Sequence, residues 1–254
     1  LRAFRGKMHV RLAKRLTEGV ASRPGLASVR PPEPIPAPRA PKKTPSPART
    51  LLPVRQDEPP KKFDVVAMGV STGGPNALAE LIPHLPGDLG VPVLLVQHMP
   101  PTFTAALAAS LDRKSALKIH EGAEGVEILP NHVYIAPGGK HMTLQPGANG
   151  PRIELNTDPP VNSCRPAVDV LFESIARVYK GAILAVIMTG MGNDGVEGVR
   201  RLKAKGCYCL TQTEDTCVVY GMPRAVDEAG LSDERAPLGQ LAARIEALIK
   251  RNRG

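Results

Sequence analysis

Residues 64–78 read DVVAMGVSTGGPNAL: a continuous apolar run, a Gly-rich turn, then the start of a helical pattern. A run that is apolar throughout, rather than at every second position, is expected of a strand buried on both faces. The same unit recurs along the chain. VPVLLVQ (91–97) precedes TFTAALAASL (102–111), and AILAVIMT (182–189) precedes VEGVRRLKAKG (196–206). CYCLTQ (207–212) precedes a loop and MPRAVDEAG (222–230). Buried strands alternating with helices predict a doubly wound α/β fold, with a mostly parallel sheet flanked by helices. Residues 126–157 break the rhythm, because PGG and PGANG separate strand-like pieces there. One or two inserted β-hairpins are expected in that stretch. LGQLAARIEALIKR (238–251) reads as a closing amphipathic helix.

This pattern starts near Phe63, and the residues before it have a different character. The chain has 254 residues and a formal charge of +9. Residues 1–62 hold 15 basic and 4 acidic side chains, a net of +11, so residues 63–254 carry −2. Of 27 prolines, 12 precede residue 63. Leu1, Phe4, Met8, Leu12 and Leu16 fall three or four apart, so residues 1–18 are expected to be an amphipathic helical remnant of an upstream domain. A basic amphipathic helix lying on a membrane is the weaker alternative. Residues 19–62, with PPEPIPAPRAPKKTPSPAR at their centre, read as an extended, basic, Pro-rich linker. Residues 63–254 are expected to form one domain.

Several function classes drop out. The basic charge belongs to the arm, and eight aromatics with no Trp make a poor base-stacking platform, so no nucleic-acid partner is expected. No apolar run reaches the ~18–20 residues that a span needs, so no membrane insertion is expected. No signal peptide heads the chain, and its opening on Leu rather than Met fits a piece of a longer protein. Cys164, Cys207, Cys209 and Cys217 form no CxxC pair and read as reduced thiols in a cytoplasmic protein. No metal site stands out, since His132 and His141 are nine residues apart with no cluster of thiolates or carboxylates beside them. There is no GK[ST] phosphate loop.

Three polar residues follow three of the buried runs: Ser71, His98 and Asp194. Sites in open parallel sheets form at the carboxyl ends of strands, so these three are expected to converge. Gly69-Val70-Ser71-Thr72-Gly73 matches G-x-S-x-G between strand and helix, a turn that exposes a nucleophilic hydroxyl. Read alone, it fits equally a Gly-rich turn with Ser71 as a helix N-cap. No histidine lies beyond His141, which argues against the Ser-Asp-His order of the usual α/β-hydrolases and leaves Ser-His-Asp. His98 is the one histidine that ends a predicted central strand. Asp194 would then orient the imidazole.

Gly190-Met191-Gly192-Asn193-Asp194-Gly195 also matches G-x-G-x-x-G, and Asp215 lies 20 residues on, as a ribose acid would. A dinucleotide-dependent oxidoreductase is therefore the first alternative. It ranks second because such a unit normally opens its domain, and only one further strand is read after it. A non-catalytic docking module with a basic arm is the other alternative. Arg165 in NSCRPAVD fits either a substrate clamp or a surface loop arginine.

GVSTGGPNAL (69–78), LLVQHMPPTFTAALA (94–108), LPNHVYIAPGGKHM (129–142), PVNSCRPAVDVLFES (160–174), AVIMTGMGNDG (185–195) and TEDTCVVYGMPRAV (213–226) resemble the catalytic domain of the chemotaxis methylesterases of the CheB family. The likeness runs from about Asp64 to Lys250. It implies a doubly wound α/β domain that hydrolyses glutamate methyl esters on the cytoplasmic helices of chemoreceptors, and in many members deamidates receptor glutamines. It requires no cofactor. It assigns the nucleophile to Ser71, the base to His98 and the acid to Asp194, with Thr72 and Met191 beside the oxyanion. Such proteins normally carry an upstream receiver domain, phosphorylated by a histidine kinase. By that likeness, residues 1–16 resemble the end of a receiver's last helix, and no phosphoacceptor can be named in this sequence.

Overall fold

The computed structural model describes residues 58–251. The expected helical remnant at 1–18, and the linker up to residue 57, lie outside these residues. The chain runs β1 (Phe63–Val70), α1 (Gly74–Leu81), β2 (Val93–Gln97), α2 (Phe103–Asp112), β3 (Lys118–Glu121), β4 (His132–Ile135), β5 (His141–Gln145) and β6 (Arg152–Asn156). It continues through α3 (Val168–Val178), β7 (Ala182–Ile187), α4 (Val196–Lys203), β8 (Tyr208–Gln212), α5 (Met222–Glu228), β9 (Glu234–Ala236) and α6 (Leu238–Lys250).

Seven strands form one sheet in the order β3-β4-β2-β1-β7-β8-β9, and β5 pairs with β6 apart from it. Every pairing in the large sheet is parallel. The fold is the expected doubly wound α/β architecture with an inserted hairpin.

Both faces of the sheet are covered, which is why its central strands are apolar throughout. Along β1, Val66, Met68 and Val70 enter one core with Leu78 and Leu81 of α1, Leu111 of α2 and Ile245 of α6. Val65 and Ala67 enter the other core, with Phe172 of α3, Val199 of α4, Val226 of α5 and Met142 of the hairpin. Successive side chains of a strand point to opposite faces, so one strand serves two cores. Each large aliphatic side chain buried this way contributes roughly 1.5–3 kcal/mol.

Three details differ from the sequence reading. Residues 126–157 hold one hairpin, β5–β6, in which His141 pairs with Asn156 and Gln145 with Arg152. His132–Ile135, placed in the hairpin region by its flanking turns, is β4 of the main sheet and pairs with β2. Two strands follow the Gly190–Gly195 turn rather than one, because β9 adds to β8. The unread strands β3 and β9 sit at the two edges, where water reaches one side. Their sequences, KIHE and ERA, therefore keep polar residues and lack the apolar signature of a central strand.

The chain leaves β1 for β2 on one side and returns as β7 on the other. This reversal sets the ends of β1, β2 and β7 side by side, where a ligand crevice is expected.

Candidate active site

Ser71 immediately follows β1. The register pairs Val70 with Gln97 and Gly69 with Ile187, so the Ser71 turn sits between the ends of β2 and β7. Backbone bonds tie the three ends together. Ser71 N–H donates to Thr189 O at 3.0 Å and His98 N–H donates to Val70 O at 3.1 Å. The buried Gln97 amide Nε2 donates to Ser71 O at 2.9 Å and His98 O at 3.0 Å. Thr189 Oγ1 donates to Thr72 O at 2.9 Å.

Glycines make this packing possible. Gly73 has φ +82°, and a methyl group on it would lie 2.6 Å from Val218. Gly74 lets Gln97 in, since a Cβ there would fall 1.8 Å from Gln97 Oε1. Helix α1 is capped by Gly73, with no side-chain hydrogen bond, so Ser71 is not its N-cap. That removes the capping explanation for a serine at this position.

His98 Nε2 lies 2.8 Å from Asp194 Oδ2, with the two side chains 12% and 3% exposed. Asp194 is fixed by further donors. Val168 N–H reaches Oδ2 at 2.7 Å, while Asp169 N–H and Asn162 Nδ2 reach Oδ1 at 3.1 and 2.9 Å. Burial alone would push this carboxyl up, but the bonds from His98, Val168, Asp169 and Asn162 together hold it below the usual aspartate range. An ionised carboxylate only accepts, so Nε2 carries the imidazole proton and Nδ1 is left as the basic nitrogen. Neighbouring Asp169 is pushed up, first by burial and then by the Asp194 charge, against the bonds from Gly198, Asn162 and Gly195.

Thr72 and Met191 are both exposed. Met191 is 75% exposed. The backbone N–H groups of Thr72 and Met191 donate no hydrogen bond among the described residues, so both are available to a developing oxyanion. Arg165 has another engagement: its Nη1 donates to Thr157 O at 2.8 Å and Asp158 O at 3.1 Å, bracing the loop before α3.

Four residues not read as functional complete the arrangement. Val161 and Cys164 pair through a tight turn, with Asn162 at φ 51° and Ser163 at φ 62°. Positive φ at both central positions marks a type I′ turn, a conformation that Asn tolerates. The turn inserts Asn162 Nδ2 between Asp194 and Asp169, 2.8 Å from Asp169 Oδ2. It also sets Cys164 Sγ 3.5 Å from His98 Nδ1. Gln97 and Asp169 are the other two. Only the Asn-Ser pair carried a local signal, and that signal was for a turn.

Asp169 bears on the dinucleotide alternative. Its Oδ1 accepts from Gly195 N–H at 3.0 Å and Gly198 N–H at 2.7 Å. A pyrophosphate binds amides at a helix start, and a carboxylate already occupies these two at the start of α4. The Gly190–Gly195 turn serves to seat Asp194. Asp215, the expected ribose acid, lies in the 3₁₀ turn Glu214–Thr216 after β8.

The model of the CheB methylesterase family matches residues 66–245. The chain belongs to the CheB methylesterase family. A protein-glutamate methylesterase/protein-glutamine glutaminase of Desulfotalea psychrophila is 50% identical over 191 residues, which cover 74% of this chain and 52% of the relative. A protein of that name from a group 2 operon of Rhodopseudomonas palustris is 42% identical over 248 residues, covering 96% of this chain and 62% of the relative. The chain therefore spans between about half and three fifths of these relatives. The crystal structure of the Thermotoga maritima CheB methylesterase catalytic domain superposes with a TM-score of 0.71 at 40% identity, covering 74% of this chain and 99% of that one. Among the described residues of this CheB-family chain, no helix is long and apolar enough to cross a membrane.

Proposed function

We propose that this CheB-family chain hydrolyses glutamate methyl esters on the cytoplasmic helices of chemoreceptors, through Ser71, His98 and Asp194. The observation that carries the reading is the part-buried His98–Asp194 pair, 2.8 Å apart, at the strand ends beside the Ser71 turn. Asp194 keeps the Nε2 proton in place, so Nδ1 is the nitrogen that takes the Ser71 proton. Ser71 Oγ attacks the ester carbonyl, and the N–H groups of Thr72 and Met191 hold the oxyanion. The imidazolium returns its proton to the departing methoxide, which leaves as methanol. Water, deprotonated by Nδ1, then cleaves the acyl-serine to glutamate and regenerates the hydroxyl. With a glutamine side chain the leaving group is ammonia and the steps are otherwise the same.

Cys164 also faces Nδ1, but burial first and the Asp194 charge second push its thiol above the usual range. A thiol that stays protonated is a poor nucleophile, and this favours Ser71. In the free protein the thiol donates to Nδ1, and among the described residues Ser71 Oγ makes no hydrogen bond to His98. The serine is expected to take that place when substrate closes the site. No cofactor enters these steps. A cytoplasmic location, an upstream receiver domain and its histidine kinase belong to the same reading.

The test is methanol release from methylated receptor. Wild type releases methanol and Ser71→Ala does not, while Ser71 in the wild type is labelled by a serine-directed phosphonate. Unchanged release from a folded Ser71→Ala protein would exclude the serine mechanism.

A further inference from the structure

His98, Cys164 and Asp194 offer ligand atoms that all lie within 4.8 Å of one another. They are 66 and 96 residues from one another in the hydrogen-bonded pairs, so no spacing rule for metal motifs could have found them. The esterase mechanism uses the histidine and the aspartate and has no task for the thiol.

The geometry is that of a half-built zinc site. A tetrahedral zinc with bonds of about 2.3 Å to sulfur and about 2.0 Å to nitrogen sets these two atoms about 3.5 Å apart. Cys164 Sγ and His98 Nδ1 are 3.5 Å apart. Metal-bound histidines usually donate their other ring N–H to a carboxylate, which fixes the tautomer and raises ligand basicity. Asp194 already receives that bond at Nε2, held there by three further donors. A thiolate and an imidazole together select a thiophilic divalent ion over magnesium or calcium. The site is neither sealed nor fully exposed: Cys164 is partly buried and the His98 side chain is 12% exposed.

We propose that His98 Nδ1 and Cys164 Sγ bind a thiophilic divalent cation, Zn²⁺ in the first instance, with Asp194 behind the ring, and that the bound ion switches the esterase off. Binding displaces the thiol proton to solvent and forms one Zn–S and one Zn–N bond, with water filling the open positions. No electron is transferred. The ion then occupies the lone pair that must receive the Ser71 proton. The inhibitory part rests on the esterase reading, whereas the binding part does not.

The experiment separates the two. Reduced, metal-free full chain is titrated with Co²⁺ as a spectroscopic substitute for Zn²⁺. One equivalent is expected to give a thiolate-to-cobalt charge-transfer band, reversed by Zn²⁺. The band is lost in Cys164→Ser, retained in Cys217→Ser, and needs at least tenfold more Co²⁺ in His98→Ala. Methanol release is then measured with and without Zn²⁺, each protein's metal-free rate serving as its own reference. Zn²⁺ is expected to suppress the wild type, EDTA to restore it, and Cys164→Ser to need at least tenfold more Zn²⁺ for the same fractional loss. No thiolate band, or one that survives Cys164→Ser, overturns the site. A band without any loss of methanol release by an active wild type overturns the inhibition. Absence of methanol release from metal-free wild type, with the band present, overturns the esterase reading and leaves the metal site standing.

Discussion

At the scale of single residues, Ser71, His98 and Asp194 are expected to act as one unit. Ser71→Ala or His98→Ala lowers kcat on the order of 10⁶-fold and Asp194→Ala on the order of 10⁴-fold, while the triple variant loses little more than the worst single one. Single-turnover methanol release checks this, with far-UV spectra confirming the fold. Near-wild-type turnover in any one variant removes that residue from the mechanism. Asp194 also sets a pH dependence of stability. Its folded pKa lies below the ordinary value, because four donors together outweigh its burial. An acid of that kind contributes stability above its unfolded pKa of about 3.9 and loses it as pH falls through the lower folded value. Asp169 has the opposite sign, since its raised folded pKa makes ionisation unfavourable in the native state. The stability gap between wild type and Asp194→Asn is therefore widest above about pH 4 and closes on acidification. Urea titrations across pH measure it, and a gap that widens in acid would contradict the bonds assigned to this carboxylate.

At the scale of elements, the site depends on how closely α1 approaches the end of β2. A Cβ on Gly74 would lie 1.8 Å from Gln97 Oε1, and the Gln97 amide ties the Ser71 and His98 carbonyls together. Gly74→Ala forces that amide away and is expected to cost about 1–3 kcal/mol, from overpacking and from two lost hydrogen bonds. Gln97→Ala removes the same bonds and also the obstacle. The double variant is then less destabilised than the sum of the singles, as expected for neighbours that share one interaction. Chemical denaturation of the four proteins decides it, and strict additivity would show that the two positions do not meet.

At the scale of the whole molecule, the described residues carry their own two cores, one on each face of the sheet. Glu58, near their start, reaches Arg251 at 3.2 Å in an exposed pair, which is worth little. Removing residues 1–57 is expected to leave the unfolding midpoint and the turnover number within error of the full chain. Any loss of association with an acidic receptor surface should shrink as salt rises, because the Debye length is only about 8 Å at physiological ionic strength. The comparison is run on methylated receptor across a salt series. A large, salt-independent fall in turnover would assign the arm to the catalytic body.

The sequence by itself determined the doubly wound α/β fold, the concentration of basic charge and proline before residue 63, and three polar positions at strand ends. Each is written locally: apolar runs of strand length, a drop in proline and charge near Phe63, and a polar residue one or a few steps after each run. The edge strands were not legible, because a half-solvated strand such as KIHE need not be apolar. Nor was the purpose of the Gly190–Gly195 turn, whose pattern fits a phosphate as well as a seated carboxylate. Tertiary structure alone decided that Asp169 fills two amides where that turn enters α4, that Asn162 bridges two carboxylates, and that Gln97 joins serine to histidine. It also decided that Asp194 takes Nε2 and leaves Nδ1 facing Cys164. These contacts join residues up to 96 positions apart. They depend on strand register and the path of the 161–164 turn to within about an ångström, and no periodicity along the chain encodes a distance of that kind.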